Sequence, residues 1–192
     1  MSLTPAFDIG IWNAWVLWAL QMISMIVPTL FMSDEAKSRA KRAAQFMPFS
    51  DMKTKIVALS THLVIMPFSI IYSIFLPLQL GAFWFYAGLA VFLAAATLNF
   101  LATKSFADTP VDQPVTGGVY RISRHPIYLS GFLLNLSIGI ACASWVMVLC
   151  AILWIALWQM AVPAEERLLI GQFGDAYRAY VTRTPRWIGI AK

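Results

Sequence analysis

Five long apolar segments take up most of this chain and leave little of it for a water-soluble surface. With 60% hydrophobic and only 12% charged residues, the sequence is more apolar than a soluble domain of this length. Each segment approaches the roughly 17 to 25 residues that a membrane-spanning helix needs. The segments are 9–32, 56–77, 83–101, 127–142 and 145–162. They predict an all-α, multi-pass integral membrane protein with about five transmembrane helices.

The fourteen Lys and Arg residues are confined to alternate loops. Six lie between the first and second segments, three between the third and fourth, and five after the fifth, whereas the other loops and the N-terminal residues contain none. Because cytoplasmic loops are enriched in Lys and Arg, this pattern predicts an outside N-terminus and a cytoplasmic C-terminus. The net charge of +5 is then a topology signal, so the bilayer is the expected partner and nucleic acid is not.

The whole chain, 1–192, is predicted to form a single membrane domain in two parts. Residues 1–101 supply three N-terminal transmembrane helices. Residues 102–192 supply a polar loop, a helix hairpin that turns at Ala143 and Ser144, and a C-terminal interfacial amphipathic helix. That helix is predicted over 167–181, where apolar and aromatic residues recur at helical spacing. The oligomeric state is left open.

Two polar clusters stand at the predicted cytoplasmic ends of the last two segments. Arg124 and His125 precede Pro126, which is tolerated in the first turn of a helix, so the fourth helix is predicted to begin near His125. The amides of that turn and the positive end of the helix dipole suit a carboxylate or phosphate. Glu165 and Glu166 follow the fifth segment. Helix capping explains one of these acids, whereas both together opposite Arg124 and His125 favour a ligand site.

The spaced elements of the C-terminal half resemble a known family. The pattern Gly-Val-Tyr-x-x-x-Arg-His-Pro-x-Tyr spans 118–128 and is followed by the helix hairpin, by the two glutamates and by Phe-Gly-Asp-x-Tyr-x-x-Tyr at 173–180. In this order the elements resemble those of the isoprenylcysteine carboxyl methyltransferase and phospholipid N-methyltransferase superfamily. The resemblance covers roughly 95–188, and several elements agreeing in order make it more specific than one motif.

The resemblance implies a membrane enzyme that binds S-adenosylmethionine between its C-terminal helices and transfers a methyl group to a lipid-like or isoprenoid acceptor. The implied site opens to the cytoplasm, which would be the inner side of the cell inner membrane in a bacterium. His125, Arg124 and Glu165 are the implied catalytic residues, and no metal is expected. The implied cofactor-binding residues are Gly118, Val119, Tyr120, His125, Tyr128, Glu165 and Glu166.

One departure from the family pattern leaves the acceptor open. Prenylcysteine methyltransferases carry a basic residue near the end of the hairpin, where this sequence has Gln159, Met160 and Ala161. An anionic acceptor thereby loses its expected partner, although Arg121 or Arg124 offers a substitute. Two other functions also remain open: a nicotinamide-dependent sterol or steroid reductase with a similar helix arrangement, and a non-catalytic scaffold or lipid-binding protein.

Several polar residues within the apolar segments are predicted to be structural. His62 has neither a cysteine nor a carboxylate neighbour in sequence, so a hydrogen-bonded structural role is expected rather than metal binding. Asn99 and Gln159 are likewise expected to make structural polar contacts. On the fourth segment, Tyr128, Gly131, Asn135 and Gly139 share one helix face, and its glycines are predicted to serve close helix packing, with Asn135 bonded across the interface.

Overall fold

The computed structural model describes residues 2–3, 7–38, 40 and 52–189, and within them the protein consists of helices, turns and two isolated β-bridges, with no strand. The basic residues Arg39, Lys41, Arg42 and Lys192 lie outside the described residues. The main helices are α1 (Trp15–Leu30), α2 (Met52–Ile74), α3 (Phe83–Asp108), α4 (Pro126–Ala141), α5 (Trp145–Phe173) and α6 (Asp175–Arg183).

Three of the predicted spans are helices long and apolar enough to cross a membrane. These are α2, α3 and α5, with 23, 26 and 29 residues. The helices α1 and α4 are apolar but have 16 residues each, which corresponds to about 24 Å against a hydrocarbon core of about 30 Å. The all-helical architecture is therefore confirmed. The first segment forms a shorter helix than predicted, whereas the fourth forms a helix of the predicted length, and neither is as long as the three candidate spans.

Backbone hydrogen bonds gather one end of the bundle. The amide of Ala14, before α1, donates to the Leu76 carbonyl after α2 at 2.8 Å, and the Gln79 amide donates to the Ala141 carbonyl at the end of α4 at 3.2 Å. The amide of Ser2 donates to the Ala143 carbonyl in the α4–α5 turn at 2.7 Å. The loops that lack basic residues thus meet at a common end.

The hairpin of α4 and α5 turns where the sequence predicted. Ala143 adopts a positive φ of 50°, and the Ser144 side chain accepts a hydrogen bond from the Met147 amide at the start of α5. This N-cap satisfies one of the free amides of the first turn. The start of α4 also agrees, because His125 is its N-cap residue and Pro126 its first residue.

The predicted end of the fifth segment is wrong. The helix α5 continues through Pro163 to Phe173 and ends at Gly174, whose positive φ of 56° is readily adopted by glycine. The amphipathic helix predicted over 167–181 is consequently divided: its first part belongs to α5, and only α6 is a separate helix. Glu165 and Glu166 lie inside a continuous helix rather than at the start of a new one.

Close helix contacts explain the glycines. A Cβ added to Gly131 would lie 3.0 Å from the Trp154 ring, and one added to Gly139 would lie 2.8 Å from the Val148 amide nitrogen, so α4 approaches α5 through its small residues. The predicted packing role of these glycines is confirmed. Asn135 differs from the prediction, since its side-chain amide donates to the Gly131 carbonyl of its own helix at 2.7 Å.

Candidate active site

The loop before α4 fixes the positions of Arg124 and His125, which lie where that helix begins. The His125 amide donates to the Ser123 hydroxyl oxygen at 3.1 Å, and that hydroxyl donates to the Arg186 carbonyl at 3.2 Å. The Arg124 amide donates to the Pro185 carbonyl at 3.0 Å. The segment that follows α6 therefore lies alongside the start of α4 and holds Arg124 and His125 in place.

Glu166 is the centre of an ion-pair network. Its Oε1 lies 3.3 Å from Arg124 Nη2 and 3.2 Å from His125 Nε2. Arg186 donates to Oε1 from Nε at 3.2 Å and to Oε2 from Nη2 at 2.6 Å. Three donor residues on two segments, the start of α4 and the segment after α6, thus satisfy both oxygens, and two guanidinium groups favour the ionised carboxylate. Only 10% of its side chain is exposed. Glu166 therefore links the start of α4 to the segment after α6, and its oxygens are already bonded within the protein.

Glu165 has a different environment from its neighbour. Its Oε2 lies 3.5 Å from His125 Nδ1, and the Tyr128 hydroxyl hydrogen-bonds the same carboxyl group. Among the described residues, Oε2 is buried yet has no hydrogen-bond partner. The side chain as a whole keeps 22% exposure, so a ligand has access to it. Glu165 therefore has spare acceptor capacity that Glu166 lacks.

Two buried donors near Glu165 are also unsatisfied. Arg124 Nε and Trp158 Nε1 are both buried without a hydrogen-bond partner among the described residues. Since buried polar atoms are nearly always paired, a ligand that offers one donor and two acceptors would complete the hydrogen bonding of this cluster.

Aromatic rings line the cluster on the α5 side. His125 stacks on Tyr128 with ring centroids 5.7 Å apart, and Tyr128 stacks on Trp158 at 4.8 Å. Trp154 and Trp187 extend this surface, at 5.9 Å from Trp158 and 6.2 Å from His125 respectively. These rings form an apolar aromatic surface beside the charged groups, and such a surface suits a flat heterocycle or a cation.

The predicted residues Gly118, Val119 and Tyr120 form a short 3₁₀ turn, Gly118–Arg121. The Tyr180 hydroxyl of α6 donates to the Tyr120 carbonyl at 2.7 Å. Burial raises the pKa of Tyr180 above its usual range, which keeps this hydroxyl protonated as a donor. Tyr120 and Val119 pack with Tyr177 and Tyr180 in a small apolar cluster, so the turn is anchored from both sides.

The structure brings the predicted charged and aromatic residues into direct contact. Arg124, His125, Tyr128, Glu165 and Glu166 form one connected cluster, whereas the 3₁₀ turn is joined to it through the loop that leads to α4. Sequence reasoning missed Arg186, Trp158 and Trp187. A Pro-Arg-Trp sequence at 185–187, shortly after the predicted amphipathic helix, was a signal available for Arg186 and Trp187.

The predicted structural contacts of two polar residues are confirmed. Asn99 donates to the Ser24 carbonyl and accepts from the Ser130 hydroxyl, each at 3.3 Å, and so it links α1, α3 and α4. Gln159 accepts a hydrogen bond from Trp187 Nε1 at 2.7 Å. That bond ties the segment after α6 to α5 at the edge of the aromatic surface.

A family profile described as phospholipid methyltransferase matches residues 72–176, which is more than half of the chain. The chain belongs to the phospholipid methyltransferase family. The match confirms the resemblance found in the sequence and includes α3, α4 and all of α5, with every charged member of the cluster except Arg186. No curated protein matches the chain significantly. Family membership and the apolar helices agree on a membrane methyltransferase.

Proposed function

We propose that this protein is an integral membrane methyltransferase that uses S-adenosylmethionine and acts on a lipid-like acceptor. The observation that carries the proposal is that Glu165 Oε2 and Arg124 Nε, in one cluster of the described residues, both lack a hydrogen-bond partner, within the region that matches a methyltransferase family. A ligand that offers a hydrogen-bond donor to Glu165 Oε2 and an acceptor to Arg124 Nε would satisfy both atoms.

S-adenosylmethionine offers those groups. Its ammonium and ribose hydroxyls are donors suited to Glu165, and its carboxylate suits Arg124 and the first-turn amides of α4. The adenine and the sulfonium suit the rings of Tyr128 and Trp158. The backbone of the turn at Gly118–Arg121 would border the bound cofactor. In this arrangement Glu166 acts as a positioning residue, because its oxygens are already bonded within the protein.

The cofactor supplies an activated methyl group on a positively charged sulfur. Transfer of that group is an in-line displacement, so the contribution of the protein is to align the reactants and to exclude water. His125 is held between both glutamates, which fixes its ring, and the rings of Tyr128 and Trp158 shield the site. Arg124, His125 and Glu165 are the residues proposed to act at the methyl donor, S-adenosylmethionine.

The residues around Gln159 support an acceptor other than a prenylcysteine carboxylate. Gln159 accepts from Trp187, and its neighbours Met160 and Ala161 carry no charge. Arg124 is already paired with Glu166 and is assigned above to the carboxylate of the cofactor, so it is not available to an anionic acceptor as well. A neutral or cationic lipid-like acceptor therefore fits better, and whether its reacting atom is oxygen or nitrogen is decided by product analysis.

The proposed topology has five passes, an outside N-terminus and a cytoplasmic active site. The distribution of Lys and Arg supports it, as does the meeting of the uncharged loops at one end of the bundle. The short helices α1 and α4 would span through local thinning of the bilayer and through the polar residues at their ends. A reporter that is active only outside the cytoplasm should show activity when it is fused at residue 144. A reporter that is active only in the cytoplasm should show activity when it is fused after residue 189.

Cofactor binding is the direct test. Purified protein should bind S-adenosylmethionine with micromolar-range affinity in calorimetry, and Glu165→Gln should weaken binding at least about tenfold, as expected for loss of a charge-assisted hydrogen bond. Glu35→Gln is the matched control, because Glu35 is exposed. Unchanged affinity in both Glu165→Gln and His125→Ala would refute the site, and binding of a nicotinamide dinucleotide alone would support a reductase.

Methyl transfer is the second test. Membranes that contain the protein are incubated with methyl-labelled cofactor, and the labelled product is identified by mass spectrometry. Labelled lipid should appear with the wild-type protein and with Glu35→Gln but not with Glu165→Gln. Binding of the cofactor without transfer to any lipid or small molecule would favour the non-catalytic alternative.

A further inference from the structure

His62 lies where an ionisable side chain is costly. It belongs to α2, one of the helices long enough to span the membrane, and it is exposed on the surface of that helix. Ionisable residues inside membrane spans are rare and usually serve a function, because burying their charge among lipid is unfavourable. The sequence predicted a hydrogen-bonded structural residue, and that bond exists: His62 Nδ1 lies 2.9 Å from the Ala58 carbonyl.

The same bond defines what the rest of the ring can do. A carbonyl oxygen only accepts, so Nδ1 must carry the proton, and in the neutral imidazole Nε2 then has a free lone pair. His62 also lies in a π-helical turn, Thr61–Ile65. Such turns interrupt a helix at an energetic cost and occur frequently at functional sites. The ring is thus presented with its proton-accepting nitrogen away from its own backbone.

His62 adjoins the proposed active site through the aromatic surface. Its ring meets Trp158 edge-on, with centroids 6.2 Å apart and an interplanar angle of 83°. Trp158 in turn stacks on Tyr128, which hydrogen-bonds Glu165. Trp158 Nε1 is buried and unpartnered among the described residues. Trp158 therefore contacts both His62 on α2 and Tyr128 of the candidate site, which places His62 next to the aromatic surface of that site.

We propose that His62 is the general base that receives a proton from the methyl acceptor, which enters between α2 and α5. This inference rests on the proposed methyltransferase function and narrows its substrate to an acceptor with a removable proton on nitrogen or oxygen. Nε2 takes that proton, the freed lone pair of the acceptor forms the new bond to the methyl carbon, and the electrons of the broken carbon–sulfur bond return to the sulfur of the donor.

A single substitution separates the structural role from the catalytic one. In His62→Asn, the side-chain amide replaces Nδ1 and can still donate to the Ala58 carbonyl, but no proton acceptor remains at the position of Nε2. General-base catalysis contributes roughly 10²- to 10⁴-fold, so we expect kcat to fall at least about 100-fold, with affinity for S-adenosylmethionine unchanged in calorimetry. Leu63→Asn, on the exposed surface of the same turn, is the control and should retain activity.

Two further measurements do not rely on turnover of this variant. In the cofactor-free protein, diethyl pyrocarbonate should modify His62 at neutral pH and spare His125, the only other histidine, which is 4% exposed. In His62→Gly, added imidazole should restore part of the methyl transfer, because it can replace the missing proton acceptor. No such rescue is expected if His62 has only a structural role. Full activity of His62→Asn, or no modification of His62, would overturn this inference while leaving the proposed function intact. Failure of the wild-type protein to bind S-adenosylmethionine would overturn both.

Discussion

Arg186 donates a hydrogen bond to each carboxylate oxygen of Glu166, from Nε to Oε1 at 3.2 Å and from Nη2 to Oε2 at 2.6 Å. The two residues belong to different parts of the fold, since Glu166 is in α5 and Arg186 follows α6. Their bond closes the segment after α6 over the start of α4, where the Pro185 carbonyl accepts from the Arg124 amide. The pair thereby joins the stability of the C-terminal segment to the geometry of the candidate site.

Loss of the Arg186 guanidinium should destabilise this segment. We expect Arg186→Ala to cost about 1–3 kcal/mol, because it leaves the buried Glu166 with fewer hydrogen-bond partners. Arg186→Lys should recover only part of this loss, since an ammonium cannot form the two-pronged contact. Thermal unfolding in detergent measures the effect. Arg183→Ala, at an exposed position in the last turn of α6, is the control, and an equal loss in both alanine variants would show that the contact has no special role.

The two glutamates should respond differently to the same change. Glu166→Gln leaves Arg124 and Arg186 without their carboxylate, so it should lower the unfolding temperature as well as cofactor affinity. Glu165→Gln removes a charge that has spare acceptor capacity, so it should lower affinity with little loss of stability. Calorimetry and thermal unfolding of the two variants side by side test this. Equal loss of stability in both would contradict the division of roles.

The charged core of the site was predictable because its signals are local. Pro126 marks a helix start, so Arg124 and His125 could be placed at an N-terminus, and the alternation of basic loops put Glu165 and Glu166 at the same end of the bundle. Arg186 was not predictable in this way. Its contact with Glu166 depends on the change of chain direction at Gly174, which no periodic pattern encodes.

The boundary of α5 shows a competing effect. Pro163 lacks an amide hydrogen and is expected to end or kink a helix, yet α5 runs ten residues beyond it. Val162 and Ala164 are both buried, so packing of this part of the helix outweighs the local preference of proline. The same extension holds Glu166 in a helical position from which it reaches Arg124 and His125.

The turn at Gly118 depends on the backbone freedom of glycine. Its φ is +58°, and an added Cβ would collide with the Ser105 hydroxyl of α3. The left-handed conformation alone costs a non-glycine residue about 1–2 kcal/mol, so Gly118→Ala should lower the unfolding temperature and, by displacing the turn, cofactor affinity. Gly117→Ala is the control, because Gly117 has a φ of −91° and no atom within 4 Å of an added Cβ. Similar unfolding temperatures for both variants would argue against this conformational requirement.

The crossing of α3 and α4 depends on Gly88. A Cβ at this position would overlap the backbone nitrogen of Ala141 at the end of α4, and backbone atoms cannot move aside as a flexible side chain can. Small residues at helix crossings let backbones approach closely in membranes, and overpacking such a contact typically costs about 1–3 kcal/mol. Gly88→Ala should therefore lower the unfolding temperature in detergent.

Gly171→Ala is the matched control for Gly88→Ala, because both glycines lie inside helices and gain the same intrinsic helix propensity from the change. No atom lies within 4 Å of an added Cβ at Gly171, so this variant should be as stable as the wild-type protein or slightly more so. The difference between the two variants isolates the helix contact from the propensity. If Gly88→Ala were as stable as Gly171→Ala, the close approach of α3 to Ala141 would be refuted, and with it the tight packing that positions α4 against its neighbours.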